Sequence, residues 1–140
     1  MAKAVVLVDS SVIISLFDSD DSNNELAKFA LQRYGSTHQF QIVSHVIDEV
    51  STILVKRKAK KSLTWFFTLI ENGLFSVRFV DDALTEWQLT QAVFQTLSKQ
   101  KNKASFTDVY QQVLAEKYRL KILTFDHHFR KELVLPLGES

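Results

Sequence analysis

Cysteine is absent from this 140-residue chain, proline occurs once and glycine three times. Without a thiol there is no disulfide, no thiolate zinc site, no iron–sulfur cluster and no cysteine nucleophile, so any metal must sit on oxygen or imidazole. Isolated glycines cannot build the glycine-rich loops that wrap nucleotide phosphates, and neither a serine nucleophile elbow nor a P-loop lysine is found. The scarcity of glycine and proline leaves little room for linkers or low-complexity tracts, and no fixed-period repeat is visible. A long hydrophobic run is missing too. The apolar stretch near the N-terminus is too short for a signal-peptide core or a membrane span and breaks at a charge, which makes the cytoplasm the expected location and a membrane an unexpected partner. Nor is there an excess of one charge: 17 Lys plus Arg face 16 Asp plus Glu, a formal net charge of +1 that argues neither for nor against a nucleic-acid partner.

What is there is enough apolar material, 46% of residues, to bury a core within one domain over 1–140. Charge is distributed unevenly. KRKAKK at 56–61 and KQKNK at 99–103 are basic, whereas DSDDSNNE at 18–25 is acidic. Such runs are ordinarily solvated helix ends, with phosphate contact as the sharper reading of the basic ones.

AVVLVD at 4–9 is a continuous β-branched run ending in a carboxylate, the pattern of a central strand buried on both faces. SSVIISLF predicts a short helix, SNNELAKFALQRYG a second closed by Gly35, and FQIVS at 40–44 a second strand. Helical spacing returns over 45–58 and 62–73, alternation over 75–80, and helical spacing again over 84–100 and 105–119. KILTFD at 121–126 is predicted as a strand, and HHFRKEL as a short closing helix. Strands alternating with helices imply an α/β protein with a mainly parallel central sheet.

In such a sheet functional groups gather beyond the carboxyl ends of the strands. Asp9 and Asp126 each close a predicted strand, and Asp108 lies in the first turn of the helix leading into the second of those strands. Glu49 falls at the edge of the apolar stripe Val46, Val50, Ile53, Leu54, while the adjacent Asp48 points toward solvent. Each acid has a plainer explanation. Asp9 and Asp126 could be N-caps, Ser105 and Asp108 a capping box with Asp in place of Glu, and Glu49 a partner of Lys56. Jointly, four carboxylates aimed at one rim repel one another unless a cation neutralises them. Oxygen donors without thiolates suit magnesium or manganese, ions able to activate water against a phosphodiester.

Over its whole length the chain resembles the PIN domain family. VVLVDSSVIISLF resembles that family's opening strand with its first acid, VSHVIDEVSTIL the segment with the second, and SFTDVYQQVLAEKYRLKILTFDHHF the segment with the third acid, a helix, and a strand ending T-x-D. The resemblance implies a three-layer α/β/α fold and an acidic cluster of Asp9, Glu49, Asp108 and Asp126 holding Mg2+ or Mn2+, with Ser10, Ser11 and Thr124 as hydroxyls that orient a ligand or water. It also implies an endoribonuclease using a metal-activated water with no covalent enzyme intermediate, and an RNA substrate whose backbone Lys56, Arg57, Lys58 and Lys60 would suit. Many PIN proteins of this size are similar to VapC-type toxins, often homodimers neutralised by a small antitoxin. A PIN nuclease of RNA processing without an antitoxin, or a non-catalytic PIN-fold binding or scaffold module, are the alternatives.

Other residues attract plainer readings. His127 and His128 follow Asp126, but adjacent helical residues diverge and no partner sits at ligand spacing, which favours solvent or RNA contact. Trp65, Phe66 and Phe67 read as core or dimer surface sooner than as base-stacking platforms. A phosphoacceptor receiver domain would share strand-end acids, but its early acidic pair and late lysine are missing.

Overall fold

In the computed structural model, which describes residues 2–101 and 104–137, the AVVLV run forms β1 (Ala4–Val8). Val6, Leu7 and Val8 are wholly buried, because β1 has a neighbour on each side and helices above and below. The chain continues through α1 (Ser10–Phe17), α2 (Asn24–Tyr34), β2 (His38–Val43), α3 (Ser44–Lys56), α4 (Lys60–Glu71) and β3 (Phe75–Arg78). It ends in α5 (Ala83–Lys99), α6 (Phe106–Tyr118), β4 (Lys121–Leu123) and a 3-10 turn at Lys131–Leu133. All strand pairs are parallel, and the order is β3-β2-β1-β4. The architecture is the three-layer α/β/α arrangement expected. Among the described residues no helix is long and apolar enough to cross a membrane.

Strand order decides where a site can lie. The chain steps outward from β1 to β2 to β3, then returns to place β4 on the opposite side of β1. The reversal opens a crevice at the carboxyl ends of β1 and β4. The helices deliver the core: α1 contributes Val12 and Ile13, α3 Val46, Val50 and Leu54, and α6 Val109, Leu114 and Ala115, all within one buried cluster. A hydrogen bond of 2.6 Å from the Tyr110 hydroxyl to Glu86 ties α6 to α5, and burial pushes that phenol well above its ordinary pKa.

Several boundaries differ from the sequence expectation. β1 stops at Val8, so Asp9 stands just beyond it although its N–H still reaches Leu123 O at 2.9 Å. The strand expected over 121–126 ends at Leu123, because the Thr124 hydroxyl and the Asp126 N–H turn to side-chain partners. HHFRKEL is not a helix. The Asp126 carboxylate captures the His128 N–H at 2.8 Å and makes a turn, Phe129 sinks into the core, and only Lys131–Leu133 winds. Gly35 does cap α2, yet with φ −62°; the left-handed positions fall instead on Gly73, Lys58 and Arg119. Of KQKNK, Asn102 and Lys103 lie outside the described residues. Downstream, Val134 bridges Ile122 in parallel and the Leu135 N–H donates to Ile122 O at 2.8 Å, so the segment after the 3-10 turn lies along β4.

Candidate active site

Asp9 occupies the N-cap position of α1 but does not cap it: its side chain accepts no N–H from the helix. The carboxylate turns inward, only 2% exposed. Oδ2 accepts from the hydroxyls of Ser11 and Thr124, each at 2.8 Å, and Oδ1 accepts from the Gln111 amide at 2.8 Å. Charged acceptors gain more from such bonds than neutral ones, and so this acid tolerates burial with no cationic partner among the described residues.

The other acids come from different elements. Glu49 lies half-buried on α3 with Oε1 accepting from the Ser10 hydroxyl at 2.7 Å, while Asp48 is exposed, as the helical wheel predicted. Among the described residues Glu49 has no salt bridge to Lys56. Asp108 completes a capping box: its N–H donates to Ser105 Oγ at 3.1 Å and its Oδ2 accepts the Ser105 N–H at 3.2 Å. Asp126 accepts the N–H of His128, and its own N–H donates to Thr124 Oγ1 at 3.0 Å. The plainer local role is therefore met by Asp108 and, in a turn, by Asp126; it fails for Asp9.

All four acids nonetheless line one pocket of about 490 Å3 at the crevice, together with Ser10, Ser11 and Asp21. Asp108 senses two of the others there. Burial raises the Asp108 pKa, the Ser105 N–H opposes that rise, and the charges of Asp9 and Asp126 add to it. The donor chemistry fits a hard divalent cation, since several oxygens already oriented by neutral donors share a pocket whose charges repel. The side chains do not form a finished cage: among the described residues no three acidic or histidine groups gather closely enough to hold an ion as placed.

Lys56, Arg57, Lys58 and Lys60 are exposed at the end of α3 and the start of α4, outside the acid-lined pocket. Arg57 lies 3.8 Å from Asp18. His127 and His128 are exposed, and the His128 Nδ1 is 2.8 Å from Asp126 Oδ1, so this imidazole leans on an acid. Phe66 is core, whereas Trp65 and Phe67 remain exposed beside it.

The PIN domain family model matches residues 6–132, a span that contains every strand but the first two residues of β1, and all four acids. The chain belongs to the PIN domain family. It is 26% identical over 127 residues to a VapC ribonuclease of Archaeoglobus fulgidus, an alignment covering 88% of this chain and 78% of that protein. Its fold matches the crystal structure of Mycobacterium tuberculosis VapC20, a toxin described as cleaving the sarcin-ricin loop, with a TM-score of 0.72, 20% identity, and 89% and 92% of the two chains covered.

Two residues of this PIN domain site escape sequence reasoning. Gln111 is wholly buried and touches Asp9, although on paper it is one more polar residue inside an amphipathic helix. Asp21 lines the pocket from an acidic run that reads as a solvated helix end; its carboxylate accepts the Asn23 N–H at 2.7 Å. A wheel of α6 places Gln111 on the face with Leu114 and Ala115, and that polar intrusion into an apolar stripe is the available signal.

Proposed function

We propose that this protein is a metal-dependent endoribonuclease, a single PIN domain over 1–140 that acts in the cytoplasm as the toxin of a VapC-type toxin–antitoxin pair. The observation that carries the reading is the single pocket at the β1/β4 crevice lined by Asp9, Glu49, Asp108 and Asp126 from four different parts of the chain. Similarity to a VapC ribonuclease along most of the chain supports the same direction.

In this reading the acids hold Mg2+ or Mn2+, with Ser10 fixing Glu49, and Ser11 and Thr124 fixing Asp9. A bound ion would polarise the scissile phosphate and lower the pKa of the attacking water. Direct attack by that water, with no covalent enzyme intermediate, belongs to the same reading. Lys56, Arg57, Lys58 and Lys60, clustered at the junction of α3 and α4, would meet the RNA backbone away from the cut. Homodimerisation and a small antitoxin as partner belong to the same proposal.

The second reading, a non-catalytic PIN-fold module, draws support from the carboxylates sharing a pocket without closing into a cage. Incubating the purified protein with a mixed structured RNA, with and without Mn2+, beside the Asp9→Asn variant, separates the two. Metal-dependent cutting lost in the variant is expected. Retained RNA or protein binding with no cutting in any metal would favour the module. A neighbouring reading frame for a short DNA-binding antitoxin is expected for the toxin; without one, a role in RNA processing is favoured.

A further inference from the structure

Gln111 sits on α6 one turn beyond Asp108, wholly buried among the apolar residues of that helix. Its Nε2 donates to Asp9 Oδ1 at 2.8 Å and more weakly to Thr107 O at 3.4 Å, while its Oε1 meets no donor among the described residues. The amide cannot be turned over: Oε1 would then face a carboxylate and a carbonyl, both acceptors. A leucine here would spare the fold an orphaned buried acceptor. Something other than packing keeps the glutamine.

We infer that Gln111 is a positioning residue that locks the plane of the Asp9 carboxylate and so presents it to a divalent cation; the inference rests on the metal-dependent reading above. Ser11 and Thr124 both bond Oδ2, and they alone would oppose rotation of the carboxylate about its Cβ–Cγ bond at that one oxygen. Gln111 is the donor on the other oxygen, and with Oδ1 held as well the plane is set. The chemistry of the donor matters. A lysine or arginine from α6 would neutralise Asp9 and compete with the cation, and a serine would be too short. A neutral amide holds the acid without cancelling its charge, and Oδ1, with this donor on one of its two lone pairs, keeps the other for a cation.

The test is Mn2+ binding to the RNA-free protein, followed by calorimetry and by the electron paramagnetic resonance of the free ion, in wild type, Gln111→Met and Asp9→Asn. Methionine keeps the length of the side chain and removes its donors. Mn2+ affinity is expected to fall about ten-fold in Gln111→Met, with kcat falling alongside and the KM for RNA within about two-fold of wild type. Melting should shift little, since the lost hydrogen bond and the removed orphan act in opposite directions. Unchanged Mn2+ affinity in Gln111→Met, with affinity lost in Asp9→Asn, would overturn the role of Gln111 and leave the metal site standing. Unchanged affinity in Asp9→Asn would overturn the metal reading itself. If Gln111→Met does not fold, the wild-type protein still decides: the Gln111 side-chain amide signals should move in nitrogen-15 spectra as Mg2+ is titrated, and signals that stay fixed through saturation would overturn the inference.

Discussion

Asp9 and Asp126 both stand beyond the carboxyl end of one of two adjacent parallel strands, Asp9 directly after β1 and Asp126 a short turn after β4, and their local sequences invite the same interpretation. Their surroundings differ sharply. Asp9 is held by donors from α6 and from the end of β4, 102 and 115 residues away, and gives its helix no cap. Asp126 is half-buried and spends an oxygen on the N–H of a residue two positions on. One carboxylate is specified by the whole fold, the other by its own turn. The difference teaches that a strand-end acid is best judged by how distant its partners are.

The largest effect should come from removing the acid that the whole fold specifies. Asp9→Ala is expected to reduce RNA cleavage by about 1,000-fold or more, and to cost about 3 kcal/mol of stability because donors from three elements lose their acceptor. Asp126→Ala should lose cleavage as well but cost only about 1 kcal/mol. Urea denaturation of the two variants checks the contrast, and equal losses would break it.

Thr124 joins the two acids, donating to Asp9 and accepting from the Asp126 N–H. Thr124→Val, which keeps the shape, should cost about 1–2 kcal/mol by leaving that buried acceptor role unfilled, an intermediate effect visible in the same denaturation series. No loss would mean that the acids are positioned independently of each other.

Asp108 sharpens the comparison through pH. Its folded pKa is raised, so its contribution to stability is present below the unfolded value near 4 and is lost as pH rises through the folded value. Asn can still accept in the capping box but cannot ionise. Without divalent ion, Asp108→Asn should melt with wild type at about pH 4 and roughly 1–3 °C above it at about pH 7, while failing to cleave RNA. A melting difference independent of pH would sink this account. The smallest effect is expected at the exposed basic end of α3: alanine at both Lys56 and Lys58 should raise the KM for RNA a few-fold at low salt and flatten its salt dependence, with kcat unchanged. An unaltered salt slope would remove these residues from the RNA path.

Much of the fold was legible because its signals are local. The β-branched run of β1, the helical stripe of α3 and the alternation of elements all follow from neighbouring residues, and they sufficed for a parallel α/β sheet with acids at its rim. Asp48 and Glu49 were separable for the same reason. What stayed hidden depends on separation along the chain. The hold of Gln111 on Asp9 exists only once α6 is folded against β1, and no spacing rule reaches across 102 residues. The closing helix was misjudged because HHFRKEL has helical composition, while a side-chain bond from Asp126 and the burial of Phe129 bend it away. Left-handed backbone at Lys58 and Arg119 went unread because neither is a glycine; each follows a helix end whose last carbonyls must find donors.

The segment that bridges Ile122 to Val134 has a consequence for solubility. A three-residue edge strand such as β4 would otherwise present open backbone donors and acceptors right beside the acid-lined crevice, a template on which another chain could extend the sheet. With Leu135 bonded to Ile122, and the Tyr34 hydroxyl fastened to the carbonyl of Pro136, that border is sealed by the protein's own backbone. The seal keeps a stray β-strand from extending the sheet across the neighbouring crevice.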